Sequence, residues 1–381
     1  MFEIVKKSKN NRARLGKMSV SHGFFNTPVF MPPGTLATVK AIGPDDLKLL
    51  EAEIILVNAY HLHLRPGEKL IHDLGGVHKF MAWPSPILSD SGGFQVWSLA
   101  QAKRGNSNLV KVTDDGVKFK SPLDGSSIYI TPEKSVEIQH TLGTDIVMCF
   151  DECLSDKASH AQAVRSLERT NQWALRCVKR HLELLKNPMY TKYQPKLFGI
   201  IQGGIYADLR CEAVSYLSEL PFDGLALGGE TIGYNMPKTL ELLDEIKDMI
   251  PEKLPLYTMG LGASPQDAID VVKRGVDMFD CVNPARIARH GQLYNGRIVV
   301  NKTEIKIDSE FKGDCLRILN ERFKKDSKPI DEDCDCYTCS NFSRAYLRHL
   351  YLNQETLYLR LATIHNLRYM IRLIHALREN I

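Results

Sequence analysis

The sequence predicts an α/β chain built on a parallel (β/α)8 barrel, with a β-hairpin insertion and a C-terminal subdomain organised by a cysteine cluster. Three observations carry this reading. Eight short apolar runs each end in polar or glycine-rich punctuation, segments of helical periodicity separate them, and the recurrence stops near residue 300. Strands alternating with helices specify a parallel sheet, and eight repeats match a closed barrel whose chemistry lies where the strands end. An open doubly wound sheet is the competing architecture. Its GxGxxG fingerprint is missing, because the first strand is followed by PPGT. The pattern places the barrel at 1–300 and the subdomain, with a final helix packed on the barrel, at 301–381.

The runs and their ends are TPVFM-PPGT, EIILV-NAYH, SPIL-SDSGGFQ, TDIVMCF-DE, KLFGII-QGG, FDGLAL-GGE, PLYTM-GLG and VDMF-DCVNPARIARHG. Between them, Val164 to Leu175 carries its apolar residues on roughly one helical face, and Tyr234 to Ile246 does the same. Asn108 to Lys120 instead alternates apolar and polar residues around Asp115-Gly116, the pattern of an inserted β-hairpin. At the C-terminus, Leu357, Leu361, Ile364, Leu367, Ile371, Ile374 and Leu377 recur at helical spacing and predict one long helix or two.

Composition narrows the class. The chain has 381 residues, 44% hydrophobic and 25% charged, with a net charge of +4 that does not by itself argue for nucleic acid. The N-terminal MFEIVKKSKNNRARLGK has no apolar run after its charges, so no secretory signal is expected. No stretch approaches the roughly 18 apolar residues of a membrane span. Cysteines number nine, and Cys149, Cys153, Cys177, Cys211, Cys281 and Cys315 are scattered. That distribution suits reduced thiols and a cytoplasmic protein.

The remaining three, Cys334, Cys336 and Cys339, crowd into six residues. Three thiolates and one imidazole make a closed tetrahedral zinc set, structural because it leaves no open position. His349 and His365 are both candidates for the fourth ligand. From 340 to 381 the chain holds six arginines, no lysine and two acids. This stretch is either a phosphate-binding surface or a solvated helix face.

Asp90, Asp151 and Asp280 stand just past apolar strands, where desolvation and neighbouring carboxylates separate pKa values and assign acid and base roles. A pair of carboxylates flanking a sugar C1′ is the apparatus for glycosidic bond cleavage. A single aspartate there is equally a helix cap or turn former. Gln202-Gly-Gly and Gly228-Gly229-Glu230 end two further strands, where an amide and small residues admit a planar ligand or simply make tight turns. Phe94 and Met259 suit either a base sandwich or the core.

Together these motifs resemble the tRNA-guanine transglycosylases in their bacterial form, the queuine tRNA-ribosyltransferase family. The resemblance runs from TPVFMPPGTLATVKAI through NAYHLHLRPG, LSDSGGFQVWSL, FGIIQGGIY, YTMGLG and GVDMFDCVNPARIARHGQ to CDCYTC and His365. It implies a (β/α)8 TIM barrel with a C-terminal zinc-binding subdomain, and exchange of guanine at the tRNA wobble position for a 7-deazaguanine. It implies Asp280 as nucleophile on C1′ and Asp90 as general acid/base. Asp151, Gln202 and the Gly229 backbone would read the base edge, with Phe94 and Met259 on its faces. Arg286 and Arg289 would grip the tRNA, and Cys334, Cys336, Cys339 and His365 would hold one structural zinc per chain. A homodimer is likewise implied. The chemistry is coherent: the anticodon loop is single-stranded, so the base leaves its stack at little cost, and retention at C1′ requires a covalent intermediate.

One segment departs from the family. Where GGLAVGE is usual, this chain reads GGETIGY, so Glu230 replaces leucine and Tyr234 replaces the glutamate that helps hold an aminomethyl cation on the incoming base. Either Glu230 supplies that carboxylate from a new position, or the pocket is shaped for the bulkier queuine. Ala59, where threonine is common, is a smaller departure. Two other function classes compete: a non-catalytic tRNA-binding subunit of a transglycosylase complex, and a metal-dependent barrel hydrolase with its ion at the strand ends.

Overall fold

The structure is a computed structural model that describes residues 1–95, 98, 110–190, 193–262, 264–301 and 304–381. Asn108 and Leu109 of the expected hairpin, and Val96, Trp97 and Leu99 of the SDSGGFQVWSL motif, lie outside the described residues.

Each of the eight apolar runs forms a strand: β1 (Val29–Met31), β2 (Ile55–Val57), β3 (Ile87–Ser89), β4 (Ile146–Met148), β5 (Lys196–Ile201), β6 (Gly224–Leu227), β7 (Leu256–Thr258) and β8 (Met278–Asp280). They pair in parallel in the order β1-β8-β7-β6-β5-β4-β3-β2. The seam between β1 and β2 is closed just past the strand ends, where Leu56 N–H donates to Pro32 O at 3.2 Å and Gly34 N–H donates to Leu56 O at 2.5 Å. Both faces of these strands are covered, which is why the runs are continuously apolar instead of alternating.

The helices begin where the chain offers caps. Thr131, Ser159, Asn235 and Ser264 each accept a hydrogen bond from the first turn of the helix that follows. The helix His160–Leu185 contains the segment expected from periodicity at 164–175. The hairpin expectation holds and is extended. Val110–Thr113 and Gly116–Lys120 pair antiparallel, and Ser127–Ile130 adds a third strand. Trp173 Nε1–H donates to Asp114 O at 2.7 Å and pins this sheet to the long helix.

A three-stranded antiparallel sheet, Phe2–Lys7, Arg14–Val20 and Gly23–Thr27, covers the end of the barrel where the strands begin. Its anchor is a buried ion pair. Arg14 Nε and Nη2 donate to Asp277 at 2.9 and 2.7 Å, and Arg14 also donates to the carbonyls of Glu252 and Leu254. Asp277 is fully buried and in addition accepts from Leu256 N–H.

The C-terminal region forms two short antiparallel pairs, Gln292–Tyr294 with Cys315–Arg317 and Arg297–Asn301 with Glu304–Asp308. Helices Tyr337–Asn341, Arg344–Leu352 and Thr356–Asn380 follow. The last is one helix that serves two cores: Tyr358, Leu361 and Ala362 pack with Leu293, Leu316 and Leu347, while Leu367, Ile371, Ile374 and Leu377 join the barrel core. The six arginines of this region do not form an open phosphate-binding face. Arg344 pairs with Asp326, Arg348 with Glu321, Arg360 with Asp46, Arg368 with Glu51 and Asp335, Arg372 with Asp331, and Arg378 with Glu53. Their charge clasps the helix to the barrel and to the cysteine loop. Among the described residues, no helix is long and apolar enough to cross a membrane.

Removing one member of a buried ion pair strands the other charge. Asp277→Ala is therefore expected to lower unfolding free energy by about 3–5 kcal/mol, read as a drop in the urea midpoint. A change within about 0.5 kcal/mol, the range of an ordinary surface substitution, would show that the pair is not the anchor.

Candidate active site

A cavity of about 710 Å³ opens at the carboxyl ends of the strands, and Asp90, Asp151 and Asp280 all line it. Three runs that are distant in sequence thus deliver their terminal carboxylates to one place.

Asp280 is the last residue of β8. Its Oδ1 accepts the Tyr257 hydroxyl at 2.7 Å and the Gly260 N–H at 2.9 Å. Burial raises its pKa above the usual carboxylate range, and these two hydrogen bonds oppose the rise. Asp90 follows β3 and is 7% exposed. It accepts from Ala59 N–H at 2.9 Å, from Gln95 Nε2 at 3.1 Å and, in a short contact, from Asn58 Nδ2. Burial pushes it up to about 7, and the nearby Asp280 and Asp151 charges add to that rise against the Ala59 hydrogen bond. A carboxyl that titrates near neutrality can both deliver and recover a proton at working pH.

Asp151 follows β4 and forms the inner wall. It accepts from Ser91 Oγ at 2.9 Å and from Gln202 Nε2 at 2.7 Å, and burial raises its pKa. This approach needs the second glycine of SDSGG, since a Cβ on Gly93 would lie 2.6 Å from Asp151 Oδ1. Gly228 and Gly229 line the adjacent wall, and Phe94 and Met259 also line the cavity. Gly229 has φ +125°, and a Cβ there would lie 2.8 Å from Arg210 Nη2. Its smallness therefore makes room for a buried guanidinium behind the wall.

Arg286 lines the cavity on the helix Asn283–Arg289, which leads away from Asp280. Arg289 lies one turn on, its Nη1 donating to Ala285 O at 2.7 Å. Neither forms an ion pair among the described residues, in contrast to the six C-terminal arginines. Glu230 is placed apart from the other candidates. Its carboxylate accepts Asp156 N–H at 2.7 Å, and it is not among the residues that line the cavity. Tyr234 does line it, 79% exposed at the mouth.

Sequence reasoning passed over Asn58, Ser91, Gln95, Tyr257 and Arg210. The first four stand inside the motifs NAYH, SDSGGFQ and LYTM, so their position was marked but their role was not. Arg210 had no signal, being one charge on an ordinary helix.

Beside the C-terminal helix, Cys334, Cys336, Cys339 and His365 bring their potential ligand atoms within 4.8 Å of one another. His365 Nδ1 lies 3.3 Å from Cys339 Sγ and 3.8 Å from Cys336 Sγ. A tetrahedral ion bound at about 2.3 Å to sulfur and about 2.0 Å to nitrogen spans edges of about 3.5 Å, so the set fits a metal ion. The second ring nitrogen, Nε2, lies 2.7 Å from Tyr294 O, which orients Nδ1 toward the sulfurs. His349 is exposed, with Asn353 beside its ring, and is not a ligand. A second donor group, His22, His78 and Asp145, sits where β4 begins. Both groups therefore lie away from the strand ends, where a metal-dependent hydrolase would place its ion.

The sequence profile described as queuine tRNA-ribosyltransferase matches residues 8–381. The chain is 48% identical over 380 residues to the queuine tRNA-ribosyltransferase of Caldanaerobacter subterraneus subsp. tengcongensis, covering 100% of this chain and 93% of that protein. It is 46% identical over 379 residues to the protein of the same name from Halothermothrix orenii, covering 99% and 92%. The Listeria monocytogenes counterpart is 45% identical over 379 residues, covering 99% and 91%.

Two outcomes are expected. Because the folded state holds Asp90 up at about 7, above the usual value for a free aspartate, its ionisation opposes folding: stability falls as pH rises from about 4 to 7 and then levels. Asp90→Asn should flatten that fall and raise the thermal midpoint at pH 8, by roughly 1 °C per kcal/mol relieved. An unchanged pH–stability curve would refute the shift. Cys336→Ser should lower bound metal and folding yield together. Normal metal content in a well-folded variant would rule out the ligand set.

Proposed function

The chain belongs to the queuine tRNA-ribosyltransferase family, enzymes that act as tRNA-guanine transglycosylases, and from that premise we propose that it exchanges guanine at the tRNA wobble position for a 7-deazaguanine by double displacement. The incoming base is 7-aminomethyl-7-deazaguanine or queuine. The observation that carries the reading is the pairing of Asp280, held by Tyr257 and Gly260, with Asp90, poised near 7, on one cavity.

The target nucleoside enters with its base against Asp151, Gln202 and the Gly229 backbone, stacked by Phe94 and Met259. The Asp280 carboxylate attacks C1′, the C1′–N9 bond breaks, and Asp90 gives its proton to the departing guanine. The product is a covalent ester between Asp280 and the tRNA. The incoming base loses the corresponding proton to Asp90, its nitrogen attacks C1′, and Asp280 leaves as a carboxylate. One glycosidic bond replaces another, so the exchange needs no energy input. Arg286 and Arg289, unpaired with any acid among the described residues, hold the neighbouring phosphates or bases of the anticodon loop.

Cys334, Cys336, Cys339 and His365 hold a structural zinc that ties the cysteine loop to the final helix and supplies folding energy. A homodimer in the cytoplasm is the assembly and location that go with this reading. Glu230, engaged by the Asp156 backbone, lies outside the cavity lining, whereas Gly233 and Tyr234 of the segment that departs from the family line it, which supports a contact between these two and the incoming base.

Asp280→Asn should abolish the covalent tRNA adduct and lower exchange of labelled guanine by roughly 10⁴-fold. A variant that still trapped the adduct would exclude Asp280 as nucleophile. Arg286→Ala or Arg289→Ala should raise KM for tRNA roughly tenfold while leaving that for the base unchanged. The purified chain alone should exchange guanine, and failure to do so would favour the non-catalytic subunit. Offering both 7-deazaguanines in competition identifies the preferred one.

A further inference from the structure

Arg210 is fully buried in the first turn of the helix Ala207–Ser218, behind the cavity wall. Its Nη1 donates to Ile201 O and Gly228 O, both at 2.6 Å, and its Nε and Nη2 donate to Gly204 O at 3.0 and 2.8 Å. Among the described residues no carboxylate pairs with it. Burial pulls its pKa down to about 10, which leaves it charged at neutral pH. A desolvated guanidinium is expensive to keep, and here hydrogen bonds to backbone carbonyls compensate it, with the Asp156 charge nearby.

One of those carbonyls belongs to the peptide joining Gly228 to Gly229. That peptide is trans, so its N–H points opposite to its C=O, away from Arg210. Both glycines line the cavity, and among the described residues no protein acceptor takes the Gly229 N–H. A cation on the carbonyl fixes the peptide plane and polarises the amide, strengthening it as a donor. The absence of a Cβ at Gly229 lets the guanidinium come this close.

We infer that Arg210 is a positioning residue for base selection: by gripping the Gly228 carbonyl it aims the Gly229 N–H at the base and so selects purines that carry a 6-oxo group. The inference rests on the exchange reaction proposed above. Guanine and its 7-deaza analogues must both be accepted, so N7 cannot be the shared acceptor. On the edge away from the glycosidic nitrogen, the 6-carbonyl is the acceptor they share.

The test compares direct binding of guanine and of 2-aminopurine, which has the same skeleton without the 6-oxo group and the N1–H that goes with it, together with KM for tRNA. Wild type should prefer guanine. Arg210→Met should lose that preference by about tenfold, the worth of one hydrogen bond, with KM for tRNA unmoved. Arg210→Lys, which keeps the charge with fewer donors, should lose part of it. Should Arg210→Met fail to fold, the lysine variant decides alone. Equal weakening of both bases, or an unchanged preference, overturns the inference. The binding measurement needs no tRNA chemistry. A wild-type chain that binds guanine selectively yet does not exchange it would therefore sink the reaction and leave the role of Arg210 standing.

Discussion

The mouth of a closed apolar barrel is a place where charge is held out of water, and the rest of this structure is arranged around that constraint. Asp90, Asp151 and Arg210 are each less than a tenth exposed, yet among the described residues Arg210 has no carboxylate partner. Their compensation comes from hydrogen bonds instead: Asn58, Ala59 and Gln95 on Asp90, Ser91 and Gln202 on Asp151, carbonyls on Arg210. Donors favour the anion and burial favours the acid. The donors differ from one carboxylate to the next, so each has its own balance between the two.

The same economy of charge explains the C-terminal region. An arginine paired with a carboxylate fastens two segments, whereas an unpaired one is available to an anionic ligand. Arg360, Arg368 and Arg378 reach Asp46, Glu51 and Glu53 on the barrel, and Arg368 and Arg372 reach the acids of the cysteine loop. The helix is thereby held on two sides, by charge along its length and by His365 at the cysteine cluster. Arg286 and Arg289, which pair with no acid among the described residues, sit instead on the helix that leaves the end of β8.

Much of the fold was legible because its signals are local. Strands buried on both faces must be continuous apolar runs, and helices between them must carry caps and a 3.6-residue period. All eight strands coincide with the runs identified from pattern, β3 and β8 reaching one residue into the polar end. Asp90, Asp151 and Asp280 were legible for the same reason, as the polar residue that ends a run. The arginine-rich helix misled, because composition records charge without recording partners, and its partners lie some 300 positions away in Asp46, Glu51 and Glu53. Glu230 misled likewise: its neighbour in space is the Asp156 backbone, which no spacing announces.

By itself the sequence determined the architecture, the three strand-end carboxylates and the cysteine cluster, since each follows from periodicity or from residues a few positions apart. Only the tertiary structure decided which donors surround each carboxylate, that Asp90 titrates near neutrality, that the C-terminal arginines are consumed as clasps, and that Arg210 stands behind Gly229. These are facts of desolvation and of contact between segments distant in sequence. Both depend on how strands close into a barrel, and no single stretch of chain carries that information.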